Sequence, residues 1–149
     1  MIEKPKTVGS EEYNAPELFI NSSNHHDTAL DSNHMYDGAK ADVFSAGVTL
    51  FLMLTKCPPF RSANTKDPYF RRLSAADKKA FWKIFSTLEL NENVRDLFEK
   101  MTEKDADSRY SISEVKAHQW LESSNKQYEE EGLKMEEMLK EIELRSLSL

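Results

Sequence analysis

Twelve consecutive positions, Val43 to Leu54 (VFSAGVTLFLML), carry no charge and no strongly polar side chain, in a chain whose mean hydropathy is -0.66. As a helix the run would reach about 18 Å, short of the roughly 30 Å hydrocarbon core of a bilayer. Asp42 and Lys56 bracket it. A helix that is apolar all round is one surrounded by protein. The pattern therefore predicts a buried central helix, with Asp42 placed to cap or charge its start and Pro58-Pro59 to stop it. After a polar stretch, Ser74 to Asp77 open a second helix, with Phe81, Ile84, Phe85 and Leu88 at i, i+3, i+4 and i+7. Val94, Leu97, Phe98 and Met101 repeat that stripe behind the cap candidates Asn91 and Asn93. Ser111-Ile-Ser-Glu114 is a capping-box match ahead of a short helix ending near Trp120 and Leu121. Three one-sided helices need an apolar partner, and the central run supplies it.

The flanks read differently. Residues 1–17 hold Pro5, Gly9 and Pro16, show neither a helical nor a strand period, and predict a loop. A short helical turn is expected at Glu17 to Ile20, followed by an Asn, Ser, His and Asp tract that is loop by composition. Residues 122–149 place Tyr128, Met135, Ile142 and Leu149 at a seven-residue spacing, which predicts a charged terminal helix with one narrow stripe. Its eight Glu against four Lys and Arg argue against a calmodulin-target or membrane-surface helix, both of which are basic.

Composition narrows the function classes. A length of 149 residues, 39% of them hydrophobic, suits one globular unit with polar segments left over. A net charge of -6 argues against nucleic acid or an anionic membrane as the main partner. The single Cys57 cannot form an internal disulfide, and the start MIEKPKTVGSEEY lacks the apolar core of a signal peptide. Both features predict a cytoplasmic or nuclear protein. His25, His26, Asp27 and His34 lack the spacing of a zinc site and read as loop residues, so no metal is expected. Cys57 has no partner base near it in sequence and reads as a packed thiol rather than a nucleophile.

Three stretches, TVGSEEYNAPEL (Thr7 to Leu18), YDGAKADVFSAGVTLFLMLTKCPPF (Tyr36 to Phe60) and DLFEKMTEKDADSRYSISEVKAHQWL (Asp96 to Leu121), resemble the lower half of the C-terminal lobe of a eukaryotic protein kinase. The flavour is that of calcium/calmodulin-dependent or AMP-activated serine/threonine kinases. The resemblance implies a mainly α fold, in which amphipathic helices pack on the buried central helix. It also implies a partial kinase domain over 1–121 and a charged helical tail over 122–149. Ala15-Pro16-Glu17 matches the end of the activation segment, and Glu17 is implied to pair with Arg109 in the loop before the last core helix. Asp42 matches the aspartate that holds the backbone of the catalytic loop. Gly9-Ser10 stands where the family has Gly-Thr, so Gly9, Ser10 and Tyr13 are the implied substrate-positioning residues; Tyr13 favours the serine/threonine class.

Departures from the family pattern accompany the match. Phe44 replaces a Trp, the loop between Glu17 and Tyr36 is long, and Thr7, the candidate phosphorylation site, is one place off the family's phosphothreonine. Phosphoryl transfer in this family uses a Gly-rich loop, a β3 lysine with its helix glutamate, a catalytic-loop aspartate and asparagine, and an Asp-Phe-Gly metal ligand. None occurs in this sequence. The resemblance implies that they lie upstream of Met1, that ATP and Mg²⁺ belong to a complete kinase, and that this chain alone holds no cofactor and does not catalyse. Two readings stay open. One is the C-terminal part of a serine/threonine kinase acting on a protein substrate; the other is a non-catalytic, kinase-like module that binds a protein partner.

Overall fold

The computed structural model describes residues 2–3, 10–19 and 35–122. Packing divides the chain into two compact units, Met1–Val115 and Lys116–Leu149. The first is mainly α. It holds a two-stranded antiparallel ladder, β1 (Ile2–Glu3) and β2 (Met35–Tyr36), a 3-10 turn at Pro16–Leu18, helices α1 (Gly38–Thr55), α2 (Pro68–Leu73), α3 (Lys79–Ile84) and α4 (Glu92–Met101), and all but the last residue of α5 (Ile112–Lys116). In the second unit residues 119–122 are helical. The tail helix expected over 122–149 and the histidine tract lie outside the described residues.

The central helix begins before the apolar run. Asp37, not Asp42, is its N-cap: the carboxylate accepts the backbone N–H of Ala39 (2.9 Å) and of Lys40 (3.3 Å). The first turn, Gly38 to Ala41, holds only small residues and Lys40, too little apolar side chain for a hydropathy pattern to claim, yet it is helical once capped. Lys56 closes the helix in the left-handed region (φ 60°), its N–H donating to the Leu52 carbonyl, so the stop precedes Pro58-Pro59. At 18 residues the helix does reach the length and hydropathy of a membrane span. Its inward side answers to a core helix instead: Phe44, Val48 and Phe51 are buried against aromatic side chains from α2, α3, α4 and the Phe60 loop. Burial is not all round, however. Asp42, Ala46, Thr49 and Met53 form an exposed stripe at i, i+4, i+7 and i+11, with Leu54 beside it and Met53 74% exposed.

Two further expectations change. The polar stretch after Phe60 contains α2, which Asp67 caps by accepting the N–H of Tyr69 and Phe70, with Pro68 at the first helical position. The helix expected from Ser74 to Leu88 shrinks to the six residues of α3, and Ile84 is exposed rather than part of the stripe. Phe81 and Phe85 are buried as expected because they meet Phe51 and Phe98. The loop expected over 1–17 contributes β1, a two-residue strand too short to show a period. The helical turn expected at Glu17 to Ile20 is the 3-10 turn one residue earlier.

α4 follows its pattern, with Asn91 as cap and Val94, Leu97, Phe98 and Met101 all buried. It crosses α1 at Gly47, where an added Cβ would stand 2.9 Å from both Met101 Cβ and Thr102 Cγ2. Both neighbours are buried and Thr102 is tied down by its hydroxyl on the Phe98 carbonyl, so neither can retreat freely. Gly47→Ala is therefore expected to destabilise the domain by about 1–3 kcal/mol through overpacking, despite the better helix propensity of Ala. Chemical denaturation checks this, and an unchanged or raised midpoint would show that the crossing has slack.

The capping box forms as the sequence suggests. Ser111 N–H and hydroxyl both donate to Glu114 Oε2 at 2.7 Å, and Glu114 N–H returns to Ser111 Oγ. The Ser111 backbone N–H, then its hydroxyl, hold the Glu114 carboxyl below its ordinary value. The cap's contribution is therefore present above the ordinary glutamate range and fades as pH falls through the lowered value.

Candidate functional site

Arg109 is the most completely enclosed polar side chain among the described residues, with its guanidinium fully out of water. The loop that presents it is wound around Asp105, whose carboxylate accepts the Asp107 N–H (3.2 Å) and the Ser108 hydroxyl (2.9 Å) and whose carbonyl accepts the Arg109 N–H (3.0 Å). From that position the fork reaches three segments. Nη1 donates to Glu17 Oε1 (2.7 Å) and to the Lys40 carbonyl (2.8 Å), Nη2 to Glu17 Oε2 (2.9 Å), and Nε to the Glu103 carbonyl (2.9 Å). Such a two-point match of a planar cation to a carboxylate is among the stronger ion-pair geometries. The guanidinium carbon lies 5.0 Å from the centre of the Phe44 ring, adding a cation–π contact. Lys40 completes the joint, its ammonium donating to the Arg109 carbonyl. The structure thus brings Glu17 and Arg109 together across 92 positions of sequence.

A second set lies on the N-terminal side of the 3-10 turn. Ser10 to Tyr13 form a turn, closed by Tyr13 N–H on the Ser10 carbonyl (3.0 Å). The Ser45 hydroxyl, inside α1, donates to the Tyr13 carbonyl at 2.8 Å and fixes that turn to the central helix. Tyr13 packs on the aromatic core while Ser10 is exposed. Asp42 lies on the exposed stripe of α1. Gly9 and Thr7 lie outside the described residues. Sequence reasoning did not single out Lys40 and Ser45. Ser45 carried a signal, being a hydroxyl in an otherwise apolar run; Lys40, acting partly through its backbone carbonyl, carried none. Cys57 is half-buried, its thiol 3.5 Å from the Thr55 hydroxyl.

A helical lobe whose buried arginine locks an Ala-Pro-Glu turn onto the start of a central helix, with a Ser–Tyr turn hung from that helix, is the lower lobe of a protein kinase in arrangement. The chain belongs to the protein kinase domain family, whose model matches residues 2–121. It is 33% identical over 120 residues to the serine/threonine-protein kinase SAPK5 of Oryza sativa subsp. japonica, covering 79% of this chain and 29% of that one. It is 34% identical to the serine/threonine-protein kinase SRK2C of Arabidopsis thaliana, over 79% of this chain and 31% of that one. CBL-interacting protein kinase 26 of Oryza sativa subsp. japonica is 30% identical over 80% of this chain and 20% of its own length. The chain therefore spans less than a third of these relatives and matches the C-terminal, helical part of the kinase domain. Catalytic-loop and ATP-binding motifs are not in this sequence. Among the described residues no group of three His, Cys, Asp or Glu side chains is arranged to hold a metal ion. The described residues do not fit an ATP–Mg²⁺ site, and no step of phosphoryl transfer is assigned to them.

Proposed function

We propose that this chain is the substrate-side portion of a serine/threonine protein kinase, competent for ATP-dependent phosphorylation of protein hydroxyls only when joined to a Gly-rich loop, catalytic loop and Asp-Phe-Gly segment. The observation that carries this is the tether between Ser45 and the Tyr13 carbonyl, which holds the exposed Ser10 turn on the rigid central helix. Ser10, with Gly9 and Tyr13, positions the substrate residue next to the phosphoacceptor. Glu17 and Arg109 keep the segment end in place behind them, and Asp42 supports the catalytic loop of the joined protein. Thr7 is the proposed phosphorylation site. The partner is a protein substrate, and the acidic, single-cysteine composition supports a cytoplasmic setting without nucleic acid or membrane as partner.

The test is a chimaera in which residues 10–122 replace the matching segment of a plant relative's kinase domain. Phosphorylation of a serine peptide is expected from the chimaera, and no saturable binding of Mg²⁺-ATP by the chain alone in calorimetry. Ser10→Ala in the chimaera should lower kcat/KM by about 10²-fold, the order expected when a reacting group loses its orientation. A folded chimaera without activity would favour the second reading, a non-catalytic module binding a protein partner, which the exposure of Met53 and Leu54 on α1 also supports.

A further inference from the structure

Charge is divided unevenly along the chain. Residues 56–83 hold eight Lys and Arg against two Asp, a net charge of +6, while the rest of the sequence holds 12 Lys and Arg against 24 Asp and Glu, a net charge of -12. Both acids in the basic stretch are spent on backbone ahead of a helix. The Asp67 carboxylate accepts the N–H of Tyr69 (2.8 Å) and Phe70 (3.0 Å) through Oδ1 and that of Arg61 (3.0 Å) through Oδ2. The Asp77 carboxylate accepts the Lys79 N–H (3.0 Å) and lies 3.8 Å from the Lys79 ammonium.

Four of the cations gather round α2. Phe70 and Leu73 are buried and fix this helix to the core, which turns Arg71 and Arg72 to the opposite side, with Tyr69, 42% exposed, on their flank. The bond from the Arg61 N–H to Asp67 brings Arg61 to the start of the same helix, beside Lys66. At six residues α2 is about 9 Å long, so the four charges are crowded. None of them has a carboxylate partner among the described residues; Arg72 donates Nη1 to the Pro68 carbonyl of its own helix, which leaves its charge uncompensated. Acids of the neighbouring loop are offset by cations of their own. Glu103 holds Lys78 at 3.4 Å, and Asp105, across a cavity from Thr65, is followed back in sequence by Lys104 on the same cavity wall.

We propose that the outer face of α2 is a docking surface for an acidic segment of a partner protein, whose Asp and Glu carboxylates meet Arg71, Arg72, Arg61 and Lys66 beside the exposed Tyr69 ring. A carboxylate is the group that a guanidinium fork matches at two points. The charge of -12 on the rest of the chain selects a short segment over a nucleic acid or an anionic membrane. Exposed charges act over about 8 Å at physiological salt, so a short acidic segment ends within the field of the patch, whereas a long polyanion runs on over repelling surface. The proposal rests on the placement of charge and not on the kinase reading, and binding is measured without phosphoryl transfer, so the two stand or fall separately.

The experiment titrates the ¹⁵N-labelled full chain at low salt with acetyl-hexaglutamate-amide, with its hexaglutamine counterpart, with a short oligothymidylate, and with vesicles containing phosphatidylserine. Saturable shifts are expected at Arg61, Lys66, Tyr69 and Arg71 with hexaglutamate and not with hexaglutamine, weakening as salt is raised. Arg71→Gln together with Arg72→Gln should weaken binding about tenfold, the combined effect of two exposed ion pairs. Lys100→Gln, at an exposed cation on α4, should change it by less than about twofold. Arg71→Lys together with Arg72→Lys keeps the charge but loses the forks, and an intermediate loss of about threefold is expected. Unchanged resonances away from α2 show that each variant is folded. Tighter binding of the oligonucleotide or the vesicles than of hexaglutamate would give the patch to another class of partner and overturn the proposal. So would shifts spread over the cations of the whole chain, a failure to saturate, or equal affinity in the Arg71/Arg72 and Lys100 glutamine variants.

Discussion

Arg109→Ala should destabilise the domain by about 3–5 kcal/mol, read from urea denaturation. The reasoning is one of residue left behind rather than bond removed. Truncation takes the two-point cationic partner from the Glu17 carboxylate, only 14% exposed, and leaves the Lys40 and Glu103 carbonyls short of donors in a dry site. Each such orphan costs on the order of 1–3 kcal/mol, more for the charge. The ring of Phe44 also loses the cation seated on its face. Arg109→Lys keeps the charge but not the fork, since an ammonium cannot meet both carboxylate oxygens and two carbonyls in one plane; a smaller loss is expected. A double-mutant cycle with Glu17→Gln should show strong coupling, because removing the second partner relieves much of the first penalty. Near-neutral Arg109→Ala would mean that water enters the joint freely and that the pair is ornamental to the fold.

Phe51→Ala should cost a comparable 3–5 kcal/mol, the range for deleting a buried aromatic ring. Phe51 sits where four other rings converge, at 4.8 Å from Phe98, 5.0 Å from Phe85, 6.1 Å from Phe81 and 6.3 Å from Trp82. These come from α3, α4 and the residue after α3, so no single segment can move in to fill the space. Phe51→Leu should lose less because it keeps most of the volume. Calorimetric melting with near-ultraviolet dichroism checks both, the dichroism reporting whether Trp82 loses its fixed surroundings. Full retention of the melting temperature in Phe51→Ala would show that the cluster collapses without penalty.

These two side chains also mark what could and could not be read from the sequence. Phe51 lies in the apolar run, and its partners on α4 fall on a clean 3.6-residue stripe, so hydropathy was enough to put them in the core. Arg109 and Glu17 are 92 positions apart, and no local pattern links a charge in one loop to a charge in another. Only the family resemblance joined them. Helix ends were least legible where the signal was chemical rather than periodic. Asp37 and Asp67 each accept two backbone N–H groups of the helix that they start, yet the first turn of α1 holds only small residues and Lys40, and α2 is too short at six residues to show a period, so α1 was begun late and α2 was missed. The over-long third helix has the opposite cause: Ile84 fits the stripe on paper, but after it the backbone leaves the helix and Ile84 faces solvent. Asp42, read as capping or charging the start of α1, stands a full turn inside it.

The joint at Arg109 bears on how freely this lineage can lengthen its chain. Glu17 and Lys40 are held by the same guanidinium, so whatever sequence runs between them is a closed segment with both ends fixed at one point. The entropy of closing a flexible segment grows only with the logarithm of its length, about 0.6 kcal/mol for each doubling. Against a clamp worth several times that, lengthening the connection between Glu17 and Lys40 costs little. Drift in length is therefore expected to accumulate there, while the spacing from Glu103 to Arg109, which sets the aim of the fork, stays fixed.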